Sequence, residues 1–190
     1  IDVTDTPVLD MLNTRYYIVP LQQGATAPLF NPHALGNAWL VKEVKYVNNA
    51  NEEIDAIHGM NPRETAIVDK RFAETVKQPA AMPDSLDNIV LKSYAPNALQ
   101  YEVDTKQGGT VVFSEIYYPG WRSYIDGEEV SHGRANYILR AMNVPAGKHT
   151  IEFVFDPQSL HATETIAFIA LGIMLLGALG AIVMGLRKAK

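Results

Sequence analysis

The stretch Thr110–Asp156, TVVFSEIYYPGWRSYIDGEEVSHGRANYILRAMNVPAGKHTIEFVFD, decides how the rest of the chain is read. It is a series of β-hairpins. Asp126-Gly127 lies between two strand-like runs, and an Asp-Gly pair suits a two-residue hairpin turn, whose central residues need positive φ. After it, Ala135, Tyr137, Leu139 and Ala141 alternate with Asn136, Ile138 and Arg140, the pattern of one strand with an apolar side. Pro145-Ala146-Gly147 ends that run, and Ile151, Phe153 and Phe155 then alternate with Thr150 and Glu152. Upstream, Ile89–Tyr94 and Leu99–Asp104 flank a Pro96-Asn97 turn, and Gly108-Gly109 turns the chain into the quoted stretch. Strands of this length with a turn every few residues predict an antiparallel β-sandwich over residues 85–157.

The N-terminal part reads as a small mixed α/β lobe, residues 1–84. Thr6-Pro7 followed by Val8, Leu9, Met11 and Leu12 is a helix start, with Thr as the cap and Pro in the first turn. Tyr16–Val19 reads as a buried strand ending at Pro20, 22–37 as a loop, and Trp39–Val47 as one strand. A short helix is expected from about Asn51 to His58, with Glu52 and Glu53 in its first turn, Ile54 and Ile57 facing the domain and Gly59 as its terminator. Thr65–Val68 is a short strand. The Pro-containing link QPAAMPD, residues 78–84, carries the expected boundary.

The C-terminal part is of a different kind. From Thr165 to Leu186 no residue is charged. A helix of that length spans roughly 33 Å at about 1.5 Å per residue, enough to cross the hydrocarbon core of a bilayer. Residues 158–164 are then a short tether that keeps the sandwich close to the membrane surface, and 187–190 a basic tail. Arg187, Lys188 and Lys190 follow the apolar segment and Glu164 precedes it, so the positive-inside rule places residues 1–164 outside the cell membrane and the C-terminus in the cytoplasm. The chain opens on IDVTDTPVLD, with no initiator Met and no export signal, which predicts that Ile1 is an internal cut.

Charge narrows the partners. Of 16 basic residues three follow the helix, leaving 13 against 21 acidic ones, a net of −8 on the preceding part. Nucleic acid is not the expected partner of such a surface. Without cysteine there is neither a disulfide framework nor a thiol nucleophile.

The ordered motifs YYPGW, DG, RANY and VPAGKHTIEF, followed by a membrane-length apolar segment, resemble the C-terminal end of the YfhO-like bacterial membrane proteins. The likeness is strongest over Ile89–Phe155 and looser over Leu9–Val68, where RYYIV and NPHALGNAWLV are in the same order as in that family. The Gln78–Asp84 link carries no motif. The resemblance implies a polytopic parent, similar to glycosyltransferases that take a sugar from a lipid carrier outside the membrane, whose catalytic residues precede this region. No catalytic residue is carried over. The implied partners are the membrane, through one C-terminal helix, the remaining helices of the parent and an envelope glycan.

Within the chain, the feature most like a binding site is the aromatic cluster Tyr117, Tyr118, Trp121, Tyr124 and Tyr137. Sugar C–H faces stack on such rings, so Tyr118, Trp121, Tyr124 and Tyr137 are candidate carbohydrate-binding residues, with Arg122, Arg134 and Asn136 as hydrogen-bonding groups. The same residue types also fill sandwich cores, and Tyr and Trp rest at the headgroup layer of membranes. Adjacent carboxylates such as Glu128-Glu129 point to opposite faces of a strand and do not flank one glycosidic bond. The five His residues show no metal-ligand spacing, Ser114 and Ser131 no nucleophile elbow, and Gly108-Gly109 no phosphate loop; no cofactor or metal is expected. In the apolar helix, Gly177, Ala181 and Gly185 recur every four residues and form a candidate packing face for another span.

Overall fold

Two antiparallel sheets, built mostly from residues after 88, face each other in the computed structural model, which describes residues 7–188. The strands are β1 (Tyr16–Pro20), β2 (Thr26–Phe30), β3 (Ala38–Val41), β4 (Glu43–Val47), β5 (Thr65–Asp69), β6 (Asn88–Ala95) and β7 (Ala98–Thr105). They continue with β8 (Gly109–Ile116), β9 (Trp121–Ile125), β10 (Glu128–Glu129), β11 (Gly133–Ala135), β12 (Leu139–Val144) and β13 (Gly147–Phe155). Helices α1 (Pro7–Met11), α2 (Ala50–Ile57) and α3 (Gln158–Lys188) complete the chain. One sheet has the order β10-β9-β13-β7-β6, the other β11-β12-β8-β3. The chain divides into two units, one ending at Phe155 and one beginning at Asp156.

Between the two sheets lie Tyr101, Phe113, Met142, Ile151 and Phe153, all fully buried. Tyr101, Phe113 and Phe153 meet edge to face, with centroids 4.9–6.2 Å apart. Such contacts add roughly 0.5–1.5 kcal/mol per pair to the burial of each ring. A second core, with Trp39, Val41, Val44, Ile57, Val68, Val112, Leu139 and Ala141, covers the other face of the β11-β12-β8-β3 sheet. That sheet is therefore buried on both faces. Its strands accordingly read as continuous apolar runs, Val111-Val112-Phe113 and Ala141-Met142, where a half-solvated strand alternates.

The N-terminal part differs from its expected form in four ways. The boundary expected after residue 84 does not divide the fold, because β3 pairs with β8 and residues up to Phe155 form one unit. Trp39–Val47 is two strands: β3 joins the sandwich, and after Lys42 the chain enters β4, which pairs in parallel with β5. β1 is not buried but forms a largely exposed hairpin with β2. β2 falls within the expected loop, whose Gly and Pro content hid a hairpin closed by the tight turn Gln22–Gly24. Thr6 lies outside the described residues.

Local chemistry explains the elements that match. Asn49 caps α2 by accepting from the backbone N–H groups of Asn51 and Glu52, each at 3.0 Å. Asp126 and Gly127 join β9 to β10 with φ of 52° and 85°. The expected single strand through Ala135–Ala141 is instead two strands, β11 and β12, joined by the turn Asn136–Ile138. Asn136 and Tyr137 there adopt φ of 50° and 71°, a region Asn tolerates and Tyr rarely enters.

Candidate functional site

The seven residues expected to bind a sugar do not form one site. Tyr118, Trp121, Arg122 and Tyr124 lie on β9 and the loop before it, whereas Arg134, Asn136 and Tyr137 lie at the β11–β12 turn, against the N-terminal layer.

The second group is a brace. The buried Glu53 of α2 pairs with Arg134 and accepts the Tyr137 backbone N–H at 2.9 Å. Asn136, also buried, donates its backbone N–H to the Ile67 carbonyl at 2.7 Å and accepts the Ile67 N–H on Oδ1 at 2.8 Å. Arg134 also faces the Tyr137 ring, 5.3 Å from its centroid. These bonds hold the unusual turn conformation and fasten α2 and β5 to the sandwich. Burial raises the Glu53 carboxyl above its usual range, and its two partners only partly offset this. Glu52 and Glu53 both stand in the first turn of α2 as expected, but Glu53 is buried, whereas Glu52 is exposed and accepts the Asn48 backbone N–H at 2.9 Å. The burial of Glu53 is written in the sequence only as a carboxylate at the position before Ile54, four before Ile57.

The first group surrounds Trp121. The Arg140 guanidinium lies 3.9 Å from the centre of the Trp121 ring and 5.0 Å from that of Phe153, and its Nε donates to the Ile116 carbonyl at 3.0 Å. Phe155, opposite Trp121 in register, packs on it at 5.3 Å. Arg122 forms a two-pronged ion pair with Glu129 and stands over the Tyr124 ring. Tyr118 is 61% exposed. The depression beside these rings is small, about 230 Å³.

Arg140 was not anticipated as part of this region; the available signal was a charged residue inside an otherwise apolar run, Leu139–Met142. It is fully buried, and its own pKa is lowered by desolvation, with Glu115 opposing the change. Glu115 is in turn raised by burial, partly offset by Arg140. His132 lies between Tyr117 and Phe153, at 5.7 and 5.4 Å, and burial with the nearby Arg140 charge depresses its pKa to about 4. The Ser123 hydroxyl donates to the Val130 carbonyl, so its oxygen accepts from His132 Nδ1–H at 2.9 Å; the ring is neutral and this nitrogen carries the proton. Among the described residues, no three His, Asp or Glu side chains come together to hold a metal.

A larger apolar hollow of about 560 Å³ lies at the brace, lined by Leu9, Met11, Ile54, Ile57, Tyr137 and Ile138. Ile57 is buried as expected, but Ile54 is exposed at the rim.

In the second unit, Ala162–Ile182 is long and apolar enough to cross a membrane, with a mean hydropathy of 2.4 and no residue of its most apolar window buried. Gly177 and Ala181 are exposed on it, and a Cβ added at Gly177 would meet nothing within 4 Å among the described residues. The surroundings of Gly185 are outside the described residues.

A β-rich domain is here followed by a helix long and apolar enough to cross a membrane. Residues 74–167, from before β6 into α3, match the family described as bacterial membrane protein YfhO. The motifs YYPGW, RANY and VPAGKHTIEF all fall inside that stretch; the looser likeness over Leu9–Val68 falls outside. No curated protein and no solved structure matches the chain.

Proposed function

We propose that this chain is the extracytoplasmic C-terminal module and membrane span of a larger YfhO-type protein, and that the module braces the membrane core without catalysing a reaction itself. By the family resemblance, the parent moves a sugar from a lipid carrier to an acceptor in the cell envelope. Residues 1–164 then lie outside and the C-terminus inside, as the basic residues Arg187, Lys188 and Lys190 that follow the apolar segment favour. Gly177, Ala181 and Gly185 are the surface on which a neighbouring span packs.

The observation that carries the bracing role is that the groups suited to a sugar are engaged within the domain. Arg140 and Phe155 cover Trp121, Glu129 holds Arg122, and Arg134 and Asn136 fasten α2 and β5. The depression left beside Tyr118 is below the roughly 300–1,000 Å³ usual for small-molecule sites.

The test is Trp121→Ala in the purified chain held in detergent micelles. Truncation uncovers the buried Arg140 and should cost about 3 kcal/mol in denaturant unfolding, the lower end for large aromatic deletions because Trp121 is only partly buried. Calorimetric titration with envelope glycans should give no saturable binding to either form. Saturable binding that Trp121→Ala abolishes at unchanged stability would make the domain a glycan reader.

A further inference from the structure

Several exposed apolar residues of the first unit lie at one end of the sandwich. Phe155, the last residue of β13, pairs with Trp121, and Val154 pairs with Ala98 beside the β6–β7 turn, where Tyr94 is 67% exposed. β8 finishes at the same end, because only residues 117–120 separate Ile116 from Trp121; Ile116 and Tyr118 are both more than half exposed. The β1–β2 hairpin is fastened near this end as well. The Ser114 hydroxyl bonds the carbonyls of Met11 and Gly36, at 2.7 and 2.8 Å, just before and just after the hairpin.

That hairpin is unusual for a surface in water. From Tyr16 to Val41 there is no Asp, Glu, Lys or Arg. Tyr16 and Phe30 pair edge to face at 5.6 Å and are both exposed, and Ile18 beside them is 69% exposed. A two-stranded hairpin with an uncovered apolar face has little stability of its own. Uncharged apolar patches of this kind mark a surface that is covered in use.

The chain itself indicates what covers it. It leaves the sandwich at this same end, and only residues 156–161 separate Phe155 from the first residue of the apolar span, Ala162. Fully extended, that connection reaches at most about 25 Å. Tyr and Trp rings with an apolar body and a polar tip are the residues that settle at the boundary between headgroups and acyl chains. We propose that this end of the sandwich, with the β1–β2 hairpin, is a lipid-facing surface that rests in the headgroup layer of the bilayer crossed by α3. The proposal rests on α3 being a membrane span.

The absence of cysteine makes the test direct. Single cysteines at Ile18, Tyr118, Lys148 and Leu175 carry an environment-sensitive fluorophore in the full chain, reconstituted into phosphatidylcholine–phosphatidylglycerol vesicles containing nitroxide lipids. Leu175, within the apolar span, reports on insertion; Lys148, at the opposite end of the sandwich, is the water-exposed reference. Shallow nitroxides should quench labels at positions 18 and 118 several-fold more than at 148. Quenching at 175 with positions 18 and 118 behaving like 148 overturns the proposal. Blue-shifted but unquenched labels at 18 and 118 also overturn it, because protein then covers the surface. No quenching at 175 refutes the membrane-span reading, and this proposal with it. In the unlabelled chain, brominated lipids should quench Trp121 while the buried Trp39 stays bright, which repeats the test without any substitution.

Discussion

His132 makes the sandwich acid-sensitive by an amount that follows from its surroundings. Its ring is held neutral between Tyr117 and Phe153, with Nδ1–H on Ser123, and its pKa is depressed to about 4 by desolvation and, next, by Arg140. In the unfolded chain the same group returns to about 6.5. The unfolded state therefore takes up the proton first. Stability is intact above pH 6.5 and declines as the pH falls, until both states are protonated near pH 4. At ~1.4 kcal/mol per pH unit over that interval, the loss is on the order of 3 kcal/mol. His132→Asn removes the titration while leaving an amide to bond Ser123. The assay is urea unfolding of both forms in micelles, followed by tryptophan emission from about pH 7.5 down to pH 4. Titrations common to the two forms cancel, including the raised Glu53 and Glu115 and the lowered Asp126 and Glu129. The variant should gain on the parent by on the order of 3 kcal/mol across the range. Parallel stability curves would refute the reasoning, by showing that the ring is solvated or already charged in the fold.

Two further outcomes follow from the polar contacts. Glu53→Gln keeps an acceptor for the Tyr137 N–H but leaves Arg134 largely buried without its counter-charge; denaturant unfolding should show a loss of about 3 kcal/mol, and a loss below about 1 kcal/mol would mean the pair is not the brace described. Asp126→Asn should lower the melting temperature more at pH 5.5 than at pH 9. The Asp126 hydrogen bond chiefly raises the His149 pKa, and the His149 hydrogen bond chiefly lowers that of Asp126. The His149 contribution is therefore full below its ordinary 6.5 and lost as pH rises through the raised value, while the Asp126 contribution is full above 3.8 and lost as pH falls through the lowered one. An equal effect at both pH values would show that the pair carries no charge-dependent stability.

How much of this was legible in the sequence depended on whether a signal was local. Asp126-Gly127 announced its turn because positive φ is a property of the residues themselves, and Leu99–Asp104 announced a strand because one face is solvated and the other is not. β3 could not be separated from β4 in this way. Both present apolar residues to interiors, but to different sheets, and Lys42 between them is no stronger a break than Glu43 or Lys45. RANYIL looked like one alternating strand because Tyr137 occupies a conformation its side chain disfavours. What holds it there is Glu53, 84 residues earlier. The candidate sugar platform was divided for the same reason: residues close in sequence went to different sheets, one group to β9 and the other to the β11–β12 turn, which propensity does not reveal.

The nine residues of β13 occupy the middle of the five-stranded sheet, pairing with β7 along eight positions and with β9 along five, and the chain then runs on into α3. A force applied to the chain after Phe155 enters the domain at the end of that strand. For a pull along β13 the ladder hydrogen bonds lie across the force, so they shear together instead of opening one after another from an edge. The hairpins at the margins are spared such a load, and the pull meets the part of the domain where rupture must be most concerted.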